Sequence, residues 1–96
     1  MKVKIQSVKF DADTKLIEYI EKKLTKLAKF HDGIILAEVI LSLENSGKEG
    51  NKKVAVRLDV PGEDLFADRT QSTFEQALDL SLEALKNQIA KQKEKY

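Results

Sequence analysis

The sequence predicts a two-layer α+β domain in the order βαβββα, a four-stranded sheet with two helices packed on one face. Three observations carry that prediction. Two segments repeat apolar residues at intervals of three and four, three shorter segments alternate apolar with polar residues, and turns bearing glycine or proline separate the elements.

The first strand spans 2–8, where Val3, Ile5 and Ser7 alternate with Lys4 and Gln6. Asp11-Ala12-Asp13-Thr14 offers short side-chain oxygens to the unpaired amides of a first helical turn, so a helix starts here and runs to about Phe30. Its Leu16, Ile17, Ile20, Leu24, Leu27 and Ala28 cover a face roughly 120° wide, which must meet the sheet. His31-Asp32-Gly33 ends this helix, because glycine tolerates the left-handed conformation common just past a helix terminus.

Ala37, Val39, Leu41 and Leu43 oppose Glu38, Ser42 and Glu44, giving a half-buried second strand over 34–44 in which Ile40 breaks the alternation. The polar stretch Asn45-Ser46-Gly47-Lys48-Glu49-Gly50-Asn51 predicts an antiparallel hairpin with a mobile tip. Val54, Val56, Leu58 and Val60 mark a third strand over 52–60, and Pro61-Gly62 turns the chain. Leu65-Phe66-Ala67 sits in a fourth strand over 64–70, inferred from its length and its place after a tight turn. Ser72-Thr73-Phe74-Glu75 has capping-box spacing and opens the last helix. There Phe74, Ala77, Leu78, Ser81, Leu82, Leu85 and Ile89 form the buried stripe, and 91–96 is a polar tail expected to fray. All of 1–96 reads as one domain, with Lys2, Lys4, Glu38, Glu44, Lys53, Arg57 and Asp59 on the sheet face left in water.

Composition narrows the function classes. With 42% apolar and 34% charged residues the chain is too apolar for disorder and too charged for a membrane protein. No apolar run approaches the roughly 20 residues of a span, and Met1-Lys2-Val3-Lys4-Ile5 alternates where a signal peptide would be continuously apolar, so a cytoplasmic protein is expected. The chain has no cysteine and one histidine, which removes thiolate chemistry and makes a zinc site improbable. Its net charge of +1 says nothing about a polyanionic partner, so any such argument rests on where charges sit.

Catalytic constellations are lacking. His31, beside Gly33 at a helix end, fits a capping or surface role far better than a general base. Asp11 and Asp13 sit where a helix cap belongs and lack the further oxygen ligands of a cation site. Gly47-Lys48-Glu49-Gly50 lacks the glycine spacing and the Lys-Ser/Thr of a phosphate loop. The residues predict no enzyme, no metal, no cofactor and no small-molecule substrate.

The informative feature is on the first helix. Lys15, Lys22, Lys26 and Lys29 are separated by seven, four and three residues and fall within a stripe roughly 60° wide, opposite the apolar face, with Lys23 beside it. Such a row suits phosphates, each lysine displacing counterions. An ordinary solvated helix face, partly neutralised by Glu18 and Glu21, accounts for the same spacing equally well. On the second helix Lys86, Lys91, Lys93 and Lys95 spread around the axis, and a basic last turn is also what the helix dipole favours. Tyr19, Phe66 and Tyr96 are the aromatics available for base stacking, too few for a single-strand platform.

Asp13-Thr14-Lys15-Leu16-Ile17-Glu18-Tyr19-Ile20-Glu21-Lys22-Lys23-Leu24-Thr25-Lys26-Leu27, the helix end Lys29-Phe30, and Gln88-Ile89-Ala90-Lys91-Gln92-Lys93 are similar to the ribosome hibernation-promoting factors, also called the sigma-54 modulation family. The resemblance covers nearly the whole chain, including strand order and the proline-glycine turn. It implies a non-catalytic factor that binds rRNA of the small ribosomal subunit in the channel used by messenger and transfer RNA, and so inhibits translation or preserves idle ribosomes. Family members present basic residues from both helices to rRNA. Lys23, Lys26 and Lys29 match those positions on the first helix and Lys91 on the second, while Lys22, Lys86, Lys93 and Lys95 complete the expected rRNA-binding set. The chain resembles the short form, without the C-terminal domain that pairs ribosomes, and at most weak homo-oligomerisation is expected.

Two departures stand out. Ala84 and Asn87 occupy positions where the family commonly has basic residues, and Leu80 lies on the same exposed side. The competing reading is therefore a protein-interaction or self-associating module that uses an exposed sheet edge or the Leu80/Ala84 side without ribosome binding.

Overall fold

The structure, a computed structural model, describes residues 1–31, 33–44 and 50–94, with side chains through residue 91. In chain order it contains β1 (Lys2–Ser7), α1 (Thr14–Phe30), β2 (Leu36–Leu43), β3 (Lys52–Val60), β4 (Glu63–Gln71) and α2 (Phe74–Glu94). The four strands form one sheet in the order β1-β2-β3-β4. β1 runs parallel to β2, and the β2–β3 and β3–β4 pairs are antiparallel. This is the predicted α+β architecture, including the fourth strand, where Leu65 and Ala67 are buried and Phe66 faces outward.

Register explains the core. Val3, Ile5 and Ser7 lie opposite Ala37, Val39 and Leu41, which in turn lie opposite Leu58, Val56 and Val54. The side chains of β2 and β3 in these rows are fully buried against Leu24, Leu27, Leu78, Leu85 and Ile89 of the helices. Ser81 is the one buried polar side chain among the described residues, and its hydroxyl lies within hydrogen-bond distance of the carbonyls of Ala77 (2.8 Å) and Val54 (3.3 Å). Ile40 broke the alternation because it lies on the other face, opposite Ala55 and Gln6.

The caps refine the sequence reading. Asp13 caps α1, its carboxylate accepting from the Leu16 amide at 2.7 Å. For α2 the cap is Thr73 rather than Ser72, accepting from the Gln76 amide at 3.1 Å. Thr73-x-x-Gln76 has the same box spacing one residue later, so the pattern alone could not choose. Gly33 does not adopt the left-handed conformation expected of it, since the positive-φ glycines among the described residues are Gly50 and Gly62. Instead the Gly33 amide donates to His31 Nδ1 at 2.9 Å, and a β-carbon at Gly33 would come within 2.7 Å of the imidazole. Glycine leaves room for this close approach, which a β-carbon would allow only if the imidazole shifted, and His31 has a structural job at the helix end. Gly62, at φ 91°, takes the position after Pro61 that a type II turn reserves for a residue with positive φ.

Asp32, residues 45–49 of the predicted 45–51 loop with its mobile tip, and Lys95 and Tyr96 lie outside the described residues, as do the side chains of 92–94. The backbone of α2 is helical through Glu94, and the expectation of a frayed tail falls largely on those undescribed positions. No described helix is long and apolar enough to cross a membrane.

Candidate nucleic-acid interface

Both helices follow strands that run the same way, so each returns in the same direction and the two lie side by side in parallel. Contacts along the seam agree: Tyr19 and Lys23 of α1 meet Asp79 of α2, and further on Lys23 and Lys26 share a groove with Leu82, Glu83 and Lys86. The C-terminal halves of α1 and α2 consequently sit at one end of the molecule. From Lys22 to Phe30 the first helix carries no carboxylate, and the second carries none from Lys86 to Lys91. The acidic residues Glu75, Asp79 and Glu83 occupy the earlier part of α2.

Lys15, Lys22, Lys26 and Lys29 are all exposed on the side of α1 away from the buried Leu24. Lys22 to Lys29 spans about 10 Å at 1.5 Å per residue, a length comparable to a few phosphates along a strand. Lys23, Lys26 and Lys86 line an interhelical groove of about 520 Å³ together with Asp79, Leu82 and Glu83. Lys22, Lys26, Lys29 and Lys86 form no ion pair among the described residues, not even Lys22 with Glu18 four residues earlier.

Lys23 differs from its neighbours. Its ammonium lies 3.7 Å from an Asp79 carboxylate oxygen and 5.3 Å from the centre of the Tyr19 ring. The Tyr19 hydroxyl donates to the same carboxylate at 2.8–2.9 Å. Partial burial, then the hydrogen bond to Asp79 and its negative charge, push the Tyr19 hydroxyl up to about 12, so the phenol stays protonated and keeps the clasp closed. Tyr19 is thus a strut between helices and not a free stacking platform. Phe66 is on the opposite face of the molecule, and Tyr96 is outside the described residues.

The expected set is therefore divided. Lys22, Lys23, Lys26, Lys29 and Lys86 come together on the outer side of the helical layer. Lys91 is exposed but lies about 140° around α2 from Lys86, toward the flank of Leu80, Ala84 and Asn87. The side chains of Lys93 and Lys95 are outside the described residues. Leu80 is 40% exposed and shares a shallow hollow with Arg69, Glu83, Ala84 and Asn87, so a basic residue, Arg69 of β4, stands beside the two positions that lack one. Asp79 and Glu83 were missed by the sequence reading. Periodicity places them on α2 toward its seam side, but which residues of α1 they meet depends on helix-helix register.

The model of the family described as "Sigma 54 modulation protein / S30EA ribosomal protein" matches residues 3–96. A ribosome hibernation promoting factor of Azotobacter vinelandii is 30% identical over 95 residues, covering 99% of this chain and 85% of that protein. A ribosome hibernation promotion factor of Deinococcus radiodurans is 32% identical over 80 residues, covering 82% of this chain and 42% of that longer protein. Among solved structures, a ribosomal subunit interface protein from Coxiella burnetii superposes with a TM-score of 0.85 at 26% identity, covering 97% of this chain and 98% of its own. The N-terminal domain of Thermus thermophilus Protein Y gives 0.77 at 27% identity, covering 93% and 96%. With a family match spanning almost every residue and the same fold in its relatives, the chain belongs to the sigma 54 modulation protein / S30EA ribosomal protein family.

Proposed function

We propose that this protein is a non-catalytic, cytoplasmic, ribosome-associated hibernation factor. It holds rRNA of the small subunit in the messenger and transfer RNA channel through Lys22, Lys26, Lys29 and Lys86, with Lys23 at the edge of the site and Lys91, Lys93 and Lys95 as further contacts. The carrying observation is the collection of unpaired ammonium groups on the C-terminal halves of two parallel helices. Rigid helices packed on a sheet present these charges at fixed spacing, so little ordering is required on contact. Phosphates are gripped as charges without base readout, and binding is accordingly salt-sensitive. Relatives named for ribosome hibernation and the subunit interface support the choice of polyanion.

Co-sedimentation with purified small subunits at low and moderate salt tests the proposal. The intact protein is expected to pellet with subunits at low salt and to be released as salt rises, and a Lys23→Glu/Lys26→Glu/Lys29→Glu variant is expected to stay in the supernatant. Salt-insensitive self-association with no pelleting would overturn it.

A further inference from the structure

We infer that the free edge of β1 is a second binding site, which takes an extended acidic segment of another protein by strand addition. Lys2 donates to the Ile35 carbonyl and Val8 to that of Leu41, so the even-numbered residues of β1 face β2. By alternation the amides and carbonyls of Val3, Ile5 and Ser7 point outward, a row of unsatisfied groups that a further strand can pair with.

The two sheet edges are unlike. At β4 the outward carbonyl of Phe66 already accepts from Gln88 of α2 at 2.9 Å, and the strand carries Glu63, Asp64 and Asp68, the last two paired with Arg57 and Lys53. At β1 no described side chain covers the row. Lys2, Lys4 and Lys9 flank it, Lys2 and Lys9 with no ion pair among the described residues and Lys4 in a loose pair with Glu38 at 3.8 Å, its side chain 65% exposed. Val3, 38% exposed, adds an apolar contact on the helix side of the same edge.

These features select the occupant. A strand laid along β1 would set alternate side chains beside Lys2 and Lys4 on the open face and beside Val3 and Ile5 on the helix side, so carboxylates should alternate with aliphatic residues. A second copy of this chain fits poorly, since β1 against β1 sets lysine against lysine and β1 against β4 meets the Gln88 cap. Nucleic acid offers no backbone amides or carbonyls to complete the ladder.

The test uses the full chain, isotope-labelled, with a capped heptapeptide alternating glutamate with valine and isoleucine. Amide resonances of Val3, Ile5 and Ser7 are expected to shift and to exchange more slowly with solvent, while the same peptide with lysine for glutamate leaves them unmoved. Lys2→Glu/Lys4→Glu should weaken binding about tenfold, and Lys2→Gln/Lys4→Gln by a smaller factor in the same direction. Shifts confined to the Lys22–Lys29 helix face, equal binding by both variants, or β1 shifts that appear on raising protein concentration without peptide would each overturn the inference.

Discussion

The outer side of the helical layer and the open face of the sheet are both rich in charge, and they use it in opposite ways. On the sheet every cation near the centre is engaged: Arg57 with Glu38 at 3.4 Å and Asp64 at 3.1 Å, Lys53 with Glu44 at 3.4 Å and Asp68 at 3.8 Å, Lys4 with Glu38 at 3.8 Å. Strand register causes this, since Glu38 lies directly opposite both Lys4 and Arg57. Cross-strand neighbours are about 5 Å apart, which leaves opposite charges little choice but to meet. On the helices Lys22, Lys26, Lys29 and Lys86 have no such partners. A net charge of +1 averages a neutralised surface with an unneutralised one, and only the second can attract a polyanion.

The sharpest way to break this contrast is to remove three charges from each surface in turn. Lys22→Gln/Lys26→Gln/Lys29→Gln should flatten the salt dependence of small-subunit binding by about two to three units of log-log slope. Lys4→Gln/Lys53→Gln/Arg57→Gln should leave binding within about twofold and shift the denaturant midpoint only slightly, because the lost pairs are solvent-screened. Equal losses of binding from the two variants would erase the distinction between the surfaces.

A smaller effect probes the one place where the helix surface resembles the sheet. Asp79→Asn keeps an oxygen acceptor for Tyr19 and frees Lys23 of its counter-charge. Binding is expected to tighten about two- to threefold, with the salt slope steeper by up to about one unit. Filter-binding titrations against rRNA at several salt concentrations would check this, and unchanged affinity would remove Lys23 from the site.

The smallest effect concerns the clasp itself. The Tyr19 hydroxyl is raised from 10.0 to about 12 in the folded protein. The stability this contributes is complete below about pH 10 and is lost as pH climbs through 12, because the folded state then resists an ionisation the unfolded chain accepts. Tyr19→Phe should therefore unfold with a shallower decline over that interval than the parent. Parallel declines in urea melts from pH 9 to 12 would mean that the phenol is not coupled to folding.

Much of this molecule was legible in residue order. The alternation of Val54, Val56, Leu58 and Val60 and the three-four spacing from Leu16 to Leu27 are direct projections of burial, so strands, helices and their buried faces followed. Even the short run at Leu65 and Ala67 was readable, because a proline-glycine turn leaves few options for what comes next. The lysine row on α1 was legible for the same reason, as a stripe opposite Leu24. The meeting of Lys23 with Asp79 was not, because 56 residues separate them and their contact depends on how far one helix slides along the other. Nor was the true role of Gly33, since approach of an imidazole leaves no mark on periodicity.

One consequence follows from the parallel run of the two helices. From Glu18 to Lys29 on α1 and from Glu75 to Lys91 on α2, carboxylates precede ammonium groups, so the helical layer carries a charge gradient on an almost neutral body. Far from a ribosome such a particle feels little net pull, yet in the field of a polyanion it feels a torque. Its basic pole turns to lead before anything touches, so orientation during approach, rather than long-range capture, is what this arrangement of helices supplies.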